Sequence, residues 1–137
     1  MKVKLDDIIE AIEMMDEYSE GFMDKETGEI DVINEMYMDR QEQDEIYDRL
    51  DEHGFYRLPT QSELRDYDCM EEFIYDQPEQ LRDRLFTAIQ GRGAFRRFKD
   101  TVIDMGIDKD WYTFRDNSHK RKAARWCEEN GIEYEEN

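Results

Sequence analysis

The spacing of the apolar residues changes along this chain, and that change most limits which folds the chain can adopt. Ile30 and Val32 alternate with acidic residues, which is typical of a half-buried strand. Over most of the remaining chain, apolar residues recur every three or four positions, as on one face of a helix. Strand spacing occurs early and helical spacing late, so the sequence predicts an α+β fold with a small antiparallel sheet.

The sheet is expected to have about three strands. We predict a hairpin with strands near 20–24 and 29–33, because Gly28 can supply the positive φ of a short loop. A third short strand is predicted at 55–58, where Pro59 ends it. Helices are predicted on both sides of the sheet segments and throughout the C-terminal half, which is helix-rich: from Leu5 to Met15, over 34–53, at 61–74, after Pro78, at 95–105, and a last helix ending at Gly131. The aromatic residues at 111–114 are predicted to lie on a short turn or helix of their own.

Two features of these helices give specific expectations. Helical spacing predicts that one face of a helix buries the side chains of Phe95, Phe98, Val102 and Met105, and core packing is also predicted for Trp126. Thr60 is followed three residues later by Glu63, which is the pattern of a capping box. Thr60 should therefore cap the helix that begins near Gln61.

The composition indicates one soluble domain over residues 1–137, a length that can bury a core of its own. No stretch of about 20 apolar residues occurs, so no membrane span is expected. The first residues include no apolar segment of a signal peptide, and Cys69 and Cys127 are the only cysteines. A cytoplasmic protein with two reduced thiols is the expectation.

Charge is distributed unevenly in this acidic protein. The net charge is −18, yet residues 91–125 carry ten lysines and arginines against five acidic residues. A strongly acidic body repels nucleic acids and anionic membranes, so direct binding of either is not expected. The basic stretch could bind an anion at short range, or it could neutralise part of the acidic charge inside the fold.

The segment 91–100, GRGAFRRFKD, is the most distinctive part of the basic stretch. A glycine-flanked turn opens a helix here, and backbone N–H groups beside arginines suit a phosphate or carboxylate. The alternative is a tight turn whose basic side chains pair with acids of the same fold, and we expect Arg97 to point that way. Aromatic residues near the basic ones extend the candidate anion- or partner-binding set to Arg92, Gly93, Arg96, Lys99, Tyr112 and Arg115.

Motifs of catalysis and metal binding do not emerge from the sequence. His53 and His119 have no cysteine or histidine at ligand spacing, and the segment 24–29 lacks key positions of a calcium loop. The serines lie in no nucleophile motif. We therefore predict no metal and no cofactor, and the sequence does not indicate an enzyme.

Several segments of the chain form a combination typical of one protein family: 24–29 (DKETGE), 58–60 (LPT), 70–74 (MEEFI), 91–100 (GRGAFRRFKD), Trp111-Tyr112 and Trp126. Together they resemble a bacterial group, the uncharacterised protein family 0158. The resemblance extends from about Leu5 to Ile132, and its most specific element is the segment 91–100. The resemblance implies a bacterial single-domain protein, and it implies no activity, cofactor or site residue.

Three functions remain open at this point. The leading hypothesis is a non-catalytic cytosolic binding or regulatory module that uses the basic, aromatic patch for a protein partner or an anionic ligand. The second is a phosphate-ligand protein or enzyme that uses the turn at 91–99. The third is an acidic nucleic-acid mimic, in which surface carboxylates imitate phosphates and occupy a DNA-binding protein. Charge and fold do not choose among them.

Overall fold

The computed structural model describes residues 2–136, and it is an α+β structure, as the sequence predicts. Its elements follow the chain in this order: β1 (Lys2–Lys4), α1 (Leu5–Met14), β2 (Ser19–Asp24), β3 (Ile30–Asn34), α2 (Arg40–His53), β4 (Phe55–Arg57), α3 (Gln61–Leu64), α4 (Asp66–Tyr75), α5 (Glu79–Ala88), α6 (Ala94–Asp104), α7 (Asp108–Glu129) and β5 (Glu133–Glu135). No helix among these is both long and apolar enough to cross a membrane.

Two compact units can be distinguished. The first contains the residues up to Leu64 together with those from His119 onward, and the second is Arg65–Ser118. Helix α7 contributes residues to both units. The expectation of a single domain stays a prediction.

In the first unit, an antiparallel sheet of order β3-β2-β4 is covered by one helix on each face. Met23, Ile30 and Val32 pack with residues of α1. Phe22 and Ile33, from the opposite face, pack with Leu50 of α2. The two faces follow from the pleat, because successive side chains of a strand point to opposite sides. This arrangement confirms the predicted hairpin and third strand within one residue at each end.

A second, parallel pair of strands was not predicted. Strand β1 pairs with β5 in a register that sets Lys2 beside Glu133 and Lys4 beside Glu135. Each strand has only three residues, so the alternation of charged and apolar residues is too short to distinguish from a loop. Opposite charges across the pair favour this register.

The second unit is helical. Its buried residues come from α4, α5, α6 and the first part of α7, and they surround Phe73, Phe98 and Trp111. The ring centroid of Trp111 lies 4.9 Å from that of Phe98 and 5.4 Å from that of Phe73, with the rings edge to face. Such pairs add to the stabilisation that burial alone provides.

Three helix predictions need correction. The helix expected at 61–74 is two helices, because Arg65 has a φ of 54° and interrupts the hydrogen-bonded ladder between α3 and α4. The aromatic residues at 111–114 do not form a separate turn but belong to the continuous helix α7. The helix expected within 34–53 begins only at Arg40, where Asp39 accepts a hydrogen bond from the Gln41 amide at 3.0 Å.

The core prediction for Phe95 is wrong, whereas that for Phe98 and Val102 is confirmed. Phe98 and Val102 are buried and Met105 is half-buried, but Phe95 is 58 % exposed. The buried face of α6 is centred on Ala94, Phe98 and Val102, and Phe95 lies at its edge in the first turn. Trp126, also predicted as core, is half-buried, and its indole N–H donates to the Arg57 carbonyl at 3.0 Å.

Replacing Thr60 with alanine is expected to lower the free energy of unfolding by about 1 kcal/mol or less. Thr60 Oγ1 accepts a hydrogen bond from the Glu63 amide at 3.3 Å, but the helix that it caps is only one turn long. Urea unfolding measures the change. The control is Ser62→Ala at an exposed neighbouring position, which should stay within about 0.5 kcal/mol. Equal losses for both variants would contradict a capping role.

A buried carboxylate joins the hairpin of the first unit to α2. Asp24 is fully buried, and its carboxylate accepts hydrogen bonds from the amides of Glu26 and Thr27 at 2.8 and 3.1 Å. The Arg49 guanidinium donates to the same carboxylate at 3.1 Å, and His53 Nδ1 lies 2.7 Å from it. These partners compensate the loss of hydration, so the network holds helix and hairpin together.

The pKa values in this network shift in opposite directions. Burial opposes ionisation of Asp24, but hydrogen bonds from His53 and from two backbone amides outweigh burial and hold the Asp24 pKa below its ordinary 3.8. The hydrogen bond to Asp24 raises the pKa of His53 above its ordinary 6.5, against the opposing effect of desolvation. At a pH between the lowered pKa of Asp24 and the raised pKa of His53, both side chains are therefore charged.

Stability should depend on pH through this pair. A raised pKa of His53 stabilises the fold below the unfolded-state value of about 6.5, and this contribution is lost as pH rises through the folded-state pKa. The lowered pKa of Asp24 stabilises it above about 3.8, and that contribution is lost as pH falls through the folded-state pKa. Urea unfolding of wild type and His53→Gln should differ most at about pH 4–6.5. A difference that grows from neutral to alkaline pH would contradict this.

Candidate functional site

Helices α4, α6 and α7 of the second unit border a cleft of about 200 Å³. Its apolar floor consists of side chains that are almost fully buried, Met70, Phe98 and Trp111. Each helix presents these residues because they belong to its core-facing stripe, as the second unit's core requires. The aromatic core of the second unit therefore reaches the surface at this cleft.

Polar and aromatic side chains surround this apolar floor. Lys99 of α6 and the residues Tyr112 and Arg115 of α7 line the cleft, together with Asp66 from the first turn of α4. The exposed ring of Phe95 lies at its edge. The lining thus combines two cations and one carboxylate with two aromatic rings, and these groups come from three different helices.

Arg115 is the most informative of these residues. Its guanidinium carbon lies 5.2 Å from the centroid of the Tyr112 ring, a cation–π distance. Its Nη2 lies 3.3 Å from the carboxylate of Asp116. Its Nε is buried and has no hydrogen-bond acceptor in the described part of the chain. A buried donor without an acceptor costs free energy. The side chain as a whole is 35 % exposed, so the remainder of the guanidinium is accessible to an anion.

Lys99, Tyr112 and Arg115 are three of the six residues that the sequence predicted for a site, and the structure brings them to one cleft. Arg92, Gly93 and Arg96 do not line it. Arg92 precedes α6, which begins at Ala94, so helical spacing does not align it with Arg96. Asp66, Met70 and Phe95 were missed as lining residues, because nothing in the sequence places α4 beside α6.

Arg97 has a structural role that differs from the expected pairing with acid. Its Nε donates to the Ala88 carbonyl at 3.0 Å, and its other nitrogens donate to the carbonyls of Gln90 and Arg92. These carbonyls lie at and beyond the end of α5, where helical partners run out. Gly93 has a φ of 76°, and a Cβ there would lie 3.0 Å from Arg97 Nη1. The Arg97 guanidinium therefore holds the carbonyls of the glycine-rich turn together, at a position that is exposed to solvent.

The arrangement suits a ligand that has both a charged and an apolar part. Two cations beside an apolar floor suit an anionic group attached to an apolar one. In residues 2–136, no group of three or more histidine, cysteine or acidic side chains is arranged to hold a metal ion. The enzyme and cofactor expectations stay predictions.

A family model now identifies the chain's relatives. The model described as "Uncharacterised protein family (UPF0158)" matches residues 1–136. The chain belongs to this family. The resemblance predicted from the sequence is thereby confirmed over almost the whole chain. Neither the search of curated proteins nor that of solved structures found a match.

One observation concerns the nucleic-acid mimic. Asp44, Asp48 and Asp51 of α2 are exposed and three or four residues apart. They therefore recur about every 4.5–6 Å along one row of the helix. Such a row is what the mimic hypothesis requires, but a solvated acidic helix face has the same pattern. The mimic stays a prediction.

Proposed function

We propose that this protein is a non-catalytic binding module of the bacterial cytosol, and that its ligand is a partner protein's acidic side chain next to an apolar one. The observation that carries the proposal is the convergence of Lys99, Tyr112 and Arg115 on one cleft with a buried apolar floor. The Arg115 side chain is 35 % exposed, so its accessible guanidinium nitrogens can donate to the carboxylate.

The size of the cleft favours a side chain over a cofactor. Pockets for drug-sized molecules and cofactors typically measure about 300–1,000 Å³. The cleft, at about 200 Å³, has room for one or two side chains. Charge supports the same choice, because Lys99 and Arg115 outnumber the one carboxylate of the lining, Asp66, and attract a carboxylate. The rings of Phe95 and Tyr112 suit an apolar or aromatic group.

The test uses the capped dipeptide N-acetyl-Phe-Asp-amide as probe and protein-observed NMR as readout. We expect a dissociation constant on the order of 1 mM, since a dipeptide makes few contacts. Changing Lys99 and Arg115 together to glutamine should weaken binding by about tenfold or more, because both cations near the carboxylate are lost. The capped Phe-Asn dipeptide lacks the carboxylate and the capped Ala-Asp dipeptide lacks the aromatic ring. Their dissociation constants therefore show how much each group contributes to binding.

The matched control is the double variant Arg92→Gln, Arg96→Gln. It removes the same charge from residues that are exposed and outside the cleft. Binding should change by less than about twofold, because exposed charges act weakly at a distance in salt. Equal weakening by both double variants would indicate general attraction to the basic stretch and would contradict the cleft.

A further inference from the structure

The outer edge of strand β3 is a second candidate site, in the first unit. In the sheet of order β3-β2-β4, β3 has β2 as its one strand neighbour within residues 2–136. Strand β3 has five residues, which is long enough for a further strand to pair with it. Edge strands present unpaired backbone groups that can pair with an added strand.

The register shows which backbone groups of β3 face outward. The Asp24 amide donates to the Glu29 carbonyl at 2.9 Å, and the Glu35 amide donates to the Tyr18 carbonyl. In an antiparallel pair, hydrogen-bonded positions alternate, so Asp31 and Ile33 also bond to β2. The N–H and C=O groups of Ile30 and Val32 therefore point away from β2, toward the open edge.

A continuous groove runs along this edge. Two clefts of about 480 and 390 Å³ share Asp7, Gly28 and Ile30 in their linings. One side of the groove is α1, which contributes Ala11 and Met14. Farther along, the groove is lined by the residues of β1. The apolar part is accessible, since Met14 is 76 % exposed and Ile30 and Val32 are half-buried.

Charge along the groove is predominantly acidic. Asp7, Glu10 and Glu29 surround its apolar part, and Glu26 and Glu135 line the remainder against Lys2 and Lys4. The pleat assigns the charges of β3 to one face: Ile30 and Val32 face α1, while Glu29 and Asp31 lie on the face of α2. An added strand would meet apolar side chains on one face. On the other face it would meet Glu29, which pairs with Arg49 at 3.1 Å but has a side chain that is 64 % exposed and can accept a further hydrogen bond.

We propose that this edge accepts an extended segment of a partner protein in which apolar residues alternate with lysine or arginine. The segment adds a strand to β3 by backbone hydrogen bonds to Ile30 and Val32. Its apolar side chains lie against Met14, Ile30 and Val32, and its basic side chains lie beside Glu29. This site is independent of the cleft in the second unit, so either can fail without the other.

The probe is a synthetic peptide of about eight alternating valines and lysines, capped at both ends. Hydrogen exchange of the full chain, followed by NMR, is the readout. At about 1 mM peptide, the Ile30 and Val32 amides should exchange about tenfold more slowly. The amides of Asp31 and Ile33 should change by less than about twofold, because they already bond to β2.

A matched pair of charge variants separates this site from general attraction to an acidic protein. Glu29→Lys changes the exposed residue beside which the basic side chains of the peptide lie, and Glu42→Lys makes the same change on the exposed surface of α2. Glu29→Lys should weaken peptide binding by about fivefold or more, and Glu42→Lys by less than about twofold. Equal effects of the two variants, or protection that omits Ile30 and Val32, would overturn the proposal.

Discussion

Replacing Phe98 with alanine is expected to lower the free energy of unfolding by about 3–5 kcal/mol, the range for emptying a buried aromatic site. Phe98 is 1 % exposed, and its ring contacts those of Phe73 and Trp111 edge to face. Because the neighbouring side chains are themselves held by the core, they can fill the space only in part. Urea or thermal unfolding monitored by circular dichroism measures the loss.

Phe95→Ala is the matched control, since it removes the same ring three residues earlier in the same helix. Phe95 is 58 % exposed, so its loss should change stability by no more than about 0.5–1 kcal/mol. Comparable destabilisation by the two variants would show that Phe95 also belongs to the core, and it would contradict the assignment of its ring to the edge of the cleft.

The second large effect is expected from Arg97. Arg97→Met keeps much of the apolar length but removes the donors that bond to the carbonyls of Ala88, Gln90 and Arg92. Hydrogen bonds to charged groups contribute about 1.5–3 kcal/mol where they are shielded from water. Water can replace some of these at an exposed turn, so we expect a loss of about 1–2 kcal/mol in urea unfolding.

Arg96→Met is the control for Arg97, because it removes the same charge from an adjacent exposed position. Its effect on unfolding should be within about 0.5 kcal/mol. Equal losses of stability in the two variants would show that the positive charge of the basic stretch stabilises the fold, and that the hydrogen bonds of the Arg97 guanidinium do not. A loss confined to Arg97 would assign the glycine-rich turn a structural role.

The sequence predicted those elements whose signals are local. The alternation at Ile30 and Val32 and the glycine at position 28 were sufficient for the hairpin. The end of α7 was predicted from Gly131, which has a φ of 68°, and the Ile132 amide donates to the Cys127 carbonyl at 2.8 Å, as in a Schellman motif. Each of these signals acts within a few residues, so no knowledge of the tertiary structure was needed.

Features that depend on distant contacts were missed. Strand β1 pairs with β5 from the opposite end of the chain, and three residues give too little pattern to predict such pairing. The interruption at Arg65 has no glycine or proline to mark it. Phe95 and Phe98 both fit a helical stripe, and only the packing of α6 on its neighbours decides which ring is buried.

The candidate site was predictable only in part, because some of its residues have a local signal and others depend on tertiary packing. A mixture of basic and aromatic residues pointed to Lys99, Tyr112 and Arg115, which belong to two helices that meet at the cleft. Composition could not separate Lys99 and Arg115 from the other basic residues of this stretch, Arg92 and Arg96, which lie outside the cleft. The contribution of Asp66 and Met70 depends on how α4 packs, which no local pattern encodes.

The resonance of the Arg115 Nε–H group tests the central claim most directly. It can be assigned by its absence from the NMR spectrum of Arg115→Gln. In a titration of the wild-type protein with N-acetyl-Phe-Asp-amide, we expect this resonance to shift progressively, because the carboxylate of the probe binds to the Arg115 guanidinium and changes the surroundings of its Nε–H group. An Arg115 resonance that stays unchanged while those of Arg92 or Arg96 shift would contradict the account.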